Sequence, residues 1–227
     1  HERVPRAILD KYFSEHKSKI TVLVPSYDEE PKVIRKTLLS AILQEYPEMR
    51  VVLLIDDNPN TTDLAKLEKL NRTYAVIDEI QNLISKPYKR FQRVLDEFER
   101  RENKSNIPSI KSVRILIKNF QWASNWFFDL ADNEEIEDHV DVFFAEEVLR
   151  GLGNDLLLIA DALQMSLDTG AILTKERVRQ LHLQLVWIFQ GEVTHFERKR
   201  YASLSHEANK AMNLNSYIGL MGGIYRS

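Results

Sequence analysis

Two short apolar runs separated by one helix-length segment most strongly limit how this chain can fold. Residues 20–24 and 51–55 are almost wholly apolar, which is typical of strands buried on both faces of a sheet. Between them, Pro31 marks the first turn of a helix that ends near residue 46. Two strands joined by a helix are expected to be parallel, with a right-handed crossover. The apolar positions at helical spacing are Val33, Ile34, Leu38, Ala41 and Ile42.

Polar and acidic residues follow each of these strands. Tyr27, Asp28 and Glu29 come after the first strand. Asp56 and Asp57 come after the second. Because ligands of parallel sheets bind beyond the carboxyl ends of the strands, we expect these side chains to meet at one edge and form a binding site. Two simpler interpretations stay open: the aspartates cap a helix that begins near residue 62, and the tyrosine only packs at a strand end.

Between residues 61 and 190 the apolar residues recur in steps of three and four. This spacing is typical of amphipathic helices. The sequence therefore predicts an α/β fold in which residues 63–191 form a helical bundle inserted into a sheet-containing part. The expected elements are a helix that breaks at Pro87 and restarts from Ser85, a loop over residues 100–108, a helix from Ile110 to about residue 130, one or two helices over residues 140–167, and a last helix from about Thr174.

The composition excludes several classes of protein. The chain has 227 residues, 44% hydrophobic and 29% charged, which suits one large or two small globular domains. A formal net charge of −3 gives no reason to expect nucleic acid as a partner. The lack of cysteine excludes disulfides and thiolate metal sites and suits a reducing compartment. No apolar run approaches the ~18 residues of a membrane span. Because the chain starts at His1 without a signal peptide pattern, we expect an internal part of a longer protein.

A third polar stretch, residues 205–215, reads Ser-His-Glu-Ala-Asn-Lys-Ala-Met-Asn-Leu-Asn. The ammonium group of Lys210 suits a diphosphate, and a loop that leads into a helix start adds backbone N–H donors for the same phosphates. Asn213 and Asn215 add amide donors and acceptors. Taken alone, the stretch has a simpler interpretation as a solvated helix with polar faces.

Three motifs together resemble a known enzyme family. They are Val-Pro-Ser-Tyr-Asp-Glu at residues 24–29, Ile-Asp-Asp at 55–57, and His-Glu-Ala-Asn-Lys-Ala-Met-Asn-Leu-Asn at 206–215. They are similar to the opening motifs of family 2 glycosyltransferases of the GT-A fold, most of all to membrane polysaccharide synthases such as cellulose synthase. The resemblance covers about 60 residues at the start of the chain and about 25 at its end.

The resemblance implies a fold and a reaction. Residues 1–62 and 192–227 would form the nucleotide-binding part of a partial GT-A domain with a Rossmann-like parallel sheet, and residues 63–191 a helical insertion. The implied reaction is transfer of a sugar from a nucleoside diphosphate sugar, first of all a UDP-sugar, to a glycan or other acceptor in polysaccharide biosynthesis. A divalent cation, Mg²⁺ or Mn²⁺, is implied for the complete domain. Attachment to membrane segments outside this chain is implied too, with a place on the cytoplasmic side of a membrane or in the cytoplasm.

The resemblance also assigns roles to residues of all three motifs. The first motif would line the nucleoside pocket, one aspartate of the second would contact the base or ribose, and the lysine of the third would meet the diphosphate. The family's metal motif, catalytic base and acceptor-binding motif would follow Ser227, so we expect no metal ligand or catalytic residue here and an inactive fragment. The expected nucleotide-sugar-binding residues are Tyr27, Glu29, Asp56, Asp57, Lys210 and Asn213.

The motifs depart from the family pattern at three places. Asp28 replaces the usual asparagine, Asn58 and Pro59 replace the usual glycine, and Met212 stands where a glycine is common. Asparagine can still adopt a left-handed turn, so the second change is mild. The extra charge of Asp28 would weaken binding of an anionic nucleotide unless a cation or Lys210 offsets it.

A second class of function stays open. In it, a degenerate nucleotide-binding fold carries a helical bundle that docks a partner, and the chain is an interaction module without catalytic activity. An Asp-x-Asp motif within roughly 30 residues after Ser227 would favour the enzyme, by the metal chemistry such a motif supports.

Other chemistry-bearing residues have structural interpretations. The acidic run over residues 134–147 invites a carboxylate-bridged metal site, but Ile136 stands where a glutamate three residues before His139 would be needed, which favours a solvated helix face. We expect His182 and His195 to be surface or partly buried helix residues. The tryptophans are expected to anchor the bundle, and they are Trp122, Trp126 and Trp187.

Overall fold

A computed structural model describes Val4 and residues 6–16, 18–102, 106–207 and 209–223. The described residues divide into two compact units. Those within Lys11–Ser85 and Gln190–Ser227 form one, which we call the sheet unit. Those within Lys86–Phe189, together with the described residues up to Asp10, form the other, the helical unit. The expected division into a nucleotide-binding part and an insertion stays a prediction.

The protein is α/β, with one parallel sheet. The strands β1 (Ile20–Ser26), β2 (Met49–Ile55) and β3 (Gly191–Phe196) pair in the order β1-β2-β3. Among the described residues, those between β2 and β3 contain helices and no strand. The helices are α1 Arg6–Glu15, α2 Pro31–Ile42, α3 Leu64–Arg101, α4 Ile110–Asp132, α5 His139–Phe143, α6 Gly151–Asp168, α7 Lys175–Phe189 and α8 Lys210–Leu220, with a π-helix at Phe144–Arg150 and a 3₁₀ helix at Arg198–Arg200.

The predicted strand-helix-strand unit is confirmed. Pro31 is the first residue of α2, and the helix contacts all three strands through its apolar face. Residues 51–55 of β2 are all fully buried, as a strand covered on both faces requires. At the neighbouring strand, Gly191 leaves room for Ile42, because a Cβ there would lie 2.2 Å from the isoleucine Cδ1.

One predicted helix break is wrong, and one of the two simpler interpretations of the strand-end aspartates is excluded. α3 runs through Pro87 without a break, although proline removes one backbone hydrogen bond. Buried apolar residues on both sides of the proline, Ile84 and Phe91, continue the apolar stripe of the helix past it. Asp56 and Asp57 do not cap the following helix either. Its first turn is capped by Asp63, whose carboxylate accepts the N–H of Ala65 at 3.0 Å.

The predicted loop over residues 100–108 lies partly outside the described residues, since positions 103–105 are among those not described. α3 extends to Arg101, and the buried carboxylate of Glu102 accepts hydrogen bonds from the hydroxyls of Ser109 and Ser112, both at 2.6 Å. Ser109 in turn caps α4. Hydrogen bonds from both serines hold the pKa of Glu102 below its usual value.

The helical unit has an aromatic core. Phe91, Phe127 and Phe189 stack with ring centroids 5.4–5.8 Å apart. Trp122 and Trp126 add edge contacts to this cluster, as expected of bundle anchors. α4 packs closely on α6, where a Cβ on Gly153 would lie 2.7 Å from a ring carbon of Phe128. Within the acidic run, Asp138 and Asp141 form a capping box at the start of α5.

The pH dependence of stability should report on one buried histidine of the helical unit. His182 is 2% exposed, lies on the ring of Phe98, and its Nε2 has no hydrogen-bond partner among the described residues. Burial, and secondly the charge of Arg101, lower its pKa from 6.5 to about 4. The unfolded chain binds the proton more tightly, so this contribution is intact above about pH 6.5 and is lost as the pH falls toward 4, by up to about 3 kcal/mol.

Urea unfolding at pH 7 and at pH 4.5 measures this effect. In His182→Leu the loss of free energy of unfolding between the two pH values should be clearly smaller than in the wild type. An equal loss in both proteins would show that other groups carry the acid sensitivity.

Candidate functional site

The carboxyl ends of β1 and β2 lie side by side. Ser26 is paired with Ile55, and the N–H of Asp56 donates to the Ser26 carbonyl at 2.9 Å. The register therefore brings the residues after both strands to the same edge of the sheet, as predicted from the two apolar runs.

A cavity of about 180 Å³ opens at this edge. It is formed by the end of β1, the start of α8 and the residue after β2. Five of the six expected binding residues belong to its lining. The first and last of them, Tyr27 and Asn213, are 186 residues apart in the sequence. The lining residues are Pro25, Ser26, Tyr27, Glu29, Asp56, Asn209, Lys210 and Asn213.

Asp56 is held by a buried arginine. Arg198 is fully buried, and its guanidinium binds both carboxylate oxygens of Asp56, with Nε 2.7 Å from Oδ1 and Nη2 3.0 Å from Oδ2. Such a two-pronged contact fixes the orientation of both groups. Asp56 therefore lines the cavity as part of an ion pair, and its charge is already balanced before any ligand binds.

The same arginine organises the third motif. Its Nη1 donates to the carbonyl oxygen of Ser205 and its Nη2 to that of Glu207. Four donors of one guanidinium thus connect the end of β2 to the loop that leads into α8. Sequence reasoning missed Arg198, because it lies in the run Glu-Arg-Lys-Arg, which is typical of a solvated surface.

Lys199 places an ammonium group beside Tyr27. Its Nζ donates to the backbone carbonyl of Asp56 and lies 5.6 Å from the centroid of the Tyr27 ring, within cation-π range. Tyr27 itself is 60% exposed. An exposed aromatic face at a polar cavity is suited to stacking on a planar ring of a ligand.

Asp57 lies next to the cavity but not in its lining. Its carboxylate accepts the backbone N–H of Asp28, at 3.3 Å from Oδ1. Burial raises the pKa of Asp57, against the lowering effect of this hydrogen bond. Asp57 thus braces the loop after β1, and the expected contact of this residue with a base or ribose stays a prediction.

The start of α8 contributes the basic side of the cavity. Asn209 caps the helix by accepting the N–H of Ala211 at 2.9 Å, and Lys210 follows as the first helical residue. Lys210 is exposed, and no described residue forms an ion pair with it. A free ammonium group at a helix start favours an anionic ligand.

Asn213 fastens α8 to the sheet. It is 1% exposed, and its Nδ2 donates to the carbonyl oxygen of Leu54 in β2 at 2.9 Å. Its Oδ1 has no hydrogen-bond partner among the described residues, which leaves one buried acceptor at the cavity. Asn215, also singled out in the sequence, is exposed and outside the lining.

A second polar cluster stands at the end of β3. Glu197 is buried and accepts the Tyr74 hydroxyl at 2.5 Å, while Arg200 Nε lies 2.5 Å from its other oxygen. The rings of His195 and Tyr74 are tilted against each other, with their centroids 5.2 Å apart. The expectation that His195 lies in a helix is wrong, since it belongs to β3, a strand too short and too polar to be recognised from its apolar pattern.

The described residues contain no group of three or more histidine, aspartate or glutamate side chains that could hold a metal ion. Two of the acids at this edge of the sheet are engaged otherwise: Asp56 with Arg198, and Asp57 with the Asp28 N–H.

Comparisons of the chain with models of protein families, with curated proteins and with solved structures give no match. The resemblance to family 2 glycosyltransferases rests on the three motifs. None of the helices formed by the described residues is both long and apolar enough to cross a lipid bilayer.

Proposed function

We propose that this chain is the nucleotide-binding part of a family 2 glycosyltransferase with a partial GT-A fold. In this proposal the cavity at the ends of β1 and β2 binds a nucleoside diphosphate sugar, in the first place a UDP-sugar, whose sugar is then transferred to a glycan or other acceptor. One observation carries the proposal: three motifs far apart in the sequence supply an aromatic ring, a carboxylate and a lysine to one cavity.

The chemistry of these groups matches the parts of the ligand. The exposed ring of Tyr27 would stack on the base, and the carboxylate of Glu29 would accept hydrogen bonds from hydroxyl or N–H groups of the nucleoside. Lys210 and the start of α8 would meet the diphosphate. The unpaired oxygen of Asn213 would accept a further donor from the ligand.

The proposal includes Mg²⁺ or Mn²⁺, bound by residues of the complete domain outside this chain. When bound, the cation would stabilise the negative charge of the leaving diphosphate. The residues of this chain would only bind and orient the nucleotide. Membrane segments and the acceptor site are likewise proposed to lie outside it.

A nucleotide titration tests the proposal. We expect UDP to bind more tightly than uridine, because Lys210 can meet the diphosphate only in UDP. If UDP binds only the folded state, a UDP concentration of 100 times its Kd should raise the free energy of unfolding by about 2.7 kcal/mol. Calorimetry gives the affinities, and NMR shift changes at the amides of Tyr27, Asp57 and Lys210 give the location.

Two outcomes would contradict this function. A folded protein that contains the complete catalytic domain and shows no shift changes with millimolar UDP and Mn²⁺ would favour the interaction module. Equal affinity for UDP and ADP would overturn the preference for a uridine nucleotide.

A further inference from the structure

The loop after β1 has a backbone conformation that side chains usually avoid. Asp28 has a φ of 53°, and it is the one residue other than glycine with a positive φ in the described part of the chain. Aspartate tolerates this left-handed region better than most residues, but the conformation still needs support from its surroundings. The neighbours of Asp28 are Tyr27 and Glu29, which both line the cavity.

Lys69 supplies much of that support. This residue lies in the first part of α3, and its Nζ donates to the backbone carbonyl of Asp28 at 2.7 Å and to its Oδ1 at 2.9 Å. The same Nζ lies 3.0 Å from Oε1 of Glu30. A lysine ammonium has three donors, so this loop can use all of them. From the other side, Asp57 accepts the Asp28 N–H.

The contacts also balance charge. Four carboxylates lie in or beside the loop: those of Asp28, Glu29 and Glu30 within it, and that of Asp57, which accepts the Asp28 N–H. Hydrogen bonding to Lys69 lowers the pKa of Asp28, and the same bond, followed by that to Glu30, raises the pKa of Lys69. Both groups are therefore kept in their charged forms. The lysine side chain is 24% exposed and that of Asp28 58% exposed, so solvent screens part of this attraction.

We propose that Lys69 is a positioning residue of the nucleotide site: it fixes the loop of residues 27–30 and offsets the Asp28 carboxylate beside the cavity. The inference rests on the proposed function for the identity of the ligand. Without the lysine, the loop would lose the three contacts that the ammonium group makes with Asp28 and Glu30. An unbalanced carboxylate would then repel the diphosphate that Lys210 attracts.

The test compares Lys69→Met with a matched control, Arg72→Met. Arg72 lies one turn further along α3, and among the described residues it pairs only with Glu68, so its removal changes the net charge equally without touching the loop. We expect Lys69→Met to bind UDP about tenfold more weakly, as loss of charge-assisted contacts predicts, and Arg72→Met to bind like the wild type.

A second variant separates charge from packing. In Lys69→Met, the additional change Asp28→Asn removes the unbalanced carboxylate and keeps the shape of the side chain, so most of the lost affinity should return. Lys69→Gln, which keeps a donor but no charge, replaces Lys69→Met if the methionine variant does not fold. No recovery by Asp28→Asn would overturn the charge-balancing role.

Hydrogen exchange of the amides of residues 27–30, measured without nucleotide, keeps the inference distinct from the proposed function. Exchange at these amides should be faster in Lys69→Met than in Arg72→Met, whether or not the wild type binds UDP. Unchanged exchange would overturn the inference. Faster exchange with unchanged UDP affinity would overturn it as well, because the loop would then not belong to the nucleotide site.

Discussion

Replacing Arg198 by methionine should lower the free energy of unfolding by about 3–5 kcal/mol, the usual cost of leaving one partner of a buried ion pair alone. Arg198 is fully buried and binds both oxygens of Asp56 as well as two backbone carbonyls. Methionine fills a similar volume but donates nothing. Lys199, whose Nζ lies 3.6 Å from Asp56 Oδ1, can offset part of the orphaned charge, which favours the lower end of the range.

Arg50→Met is the matched control for this change. Arg50 also pairs with a carboxylate, that of Glu192 at 3.2 Å, but both side chains are about half exposed. Exposed pairs contribute about 0–1 kcal/mol, so this variant should unfold nearly like the wild type. Urea denaturation measures both.

The double variant Arg198→Met with Asp56→Leu tests the cause. With both charges removed, much of the lost free energy of unfolding should return, because no buried charge is left unpaired. A loss in Arg198→Met no larger than in Arg50→Met would mean that the ion pair does not hold the sheet unit together.

Replacing Lys210 by alanine should weaken UDP binding about 10- to 100-fold. A charge-assisted contact to a diphosphate is worth about 1.5–3 kcal/mol, and every 1.4 kcal/mol corresponds to a factor of ten. Because Lys210 is exposed at the first position of α8, the same change should shift thermal unfolding only slightly. Nucleotide titration with Mn²⁺ present, on a protein that contains the complete catalytic domain, measures the affinity.

Lys175→Ala is the control, since Lys175 is the first residue of α7 in the helical unit and lies outside the cavity. It should leave UDP affinity unchanged. If Lys210→Ala also binds UDP like the wild type, Lys210 returns to the interpretation as a solvated helix residue, and the glycosyltransferase proposal would rest on the strand-end residues alone.

The first two strands were predictable from their apolar runs, although only β2 is buried on both faces; β1 lies at the edge of the sheet and is only partly buried, contrary to expectation. β3 was not predictable, because Glu192 and His195 face solvent and interrupt its pattern. The helix break at Pro87 was predicted from a local rule that tertiary packing overrides. In each case the error lies where contacts between distant residues outweigh local preference.

Part of the candidate site was also predictable from the sequence. Parallel strands with acidic ends place Tyr27 and Asp56 at one edge by topology alone. Nothing in the sequence shows that Arg198 would be buried or that Lys69 would reach Asp28, because charged residues in helical or charge-rich segments usually face solvent. The partners that orient the predicted residues therefore became visible only in three dimensions.

The separation of β2 from β3 has a consequence for how much this chain can vary. The two strands pair directly although the whole helical segment lies between Ile55 and Gly191. The entropy lost on closing such a connection grows only with the logarithm of its length, so even doubling a flexible connection costs about 0.6 kcal/mol. A connection that is itself folded costs less still, provided that its two ends leave and re-enter the sheet at neighbouring strands. Insertions and deletions within residues 86–189 of the helical unit should therefore be tolerated by the sheet, whereas changes in the first part of α3, which contacts the rest of the sheet unit through Lys69 and Gln81, should not.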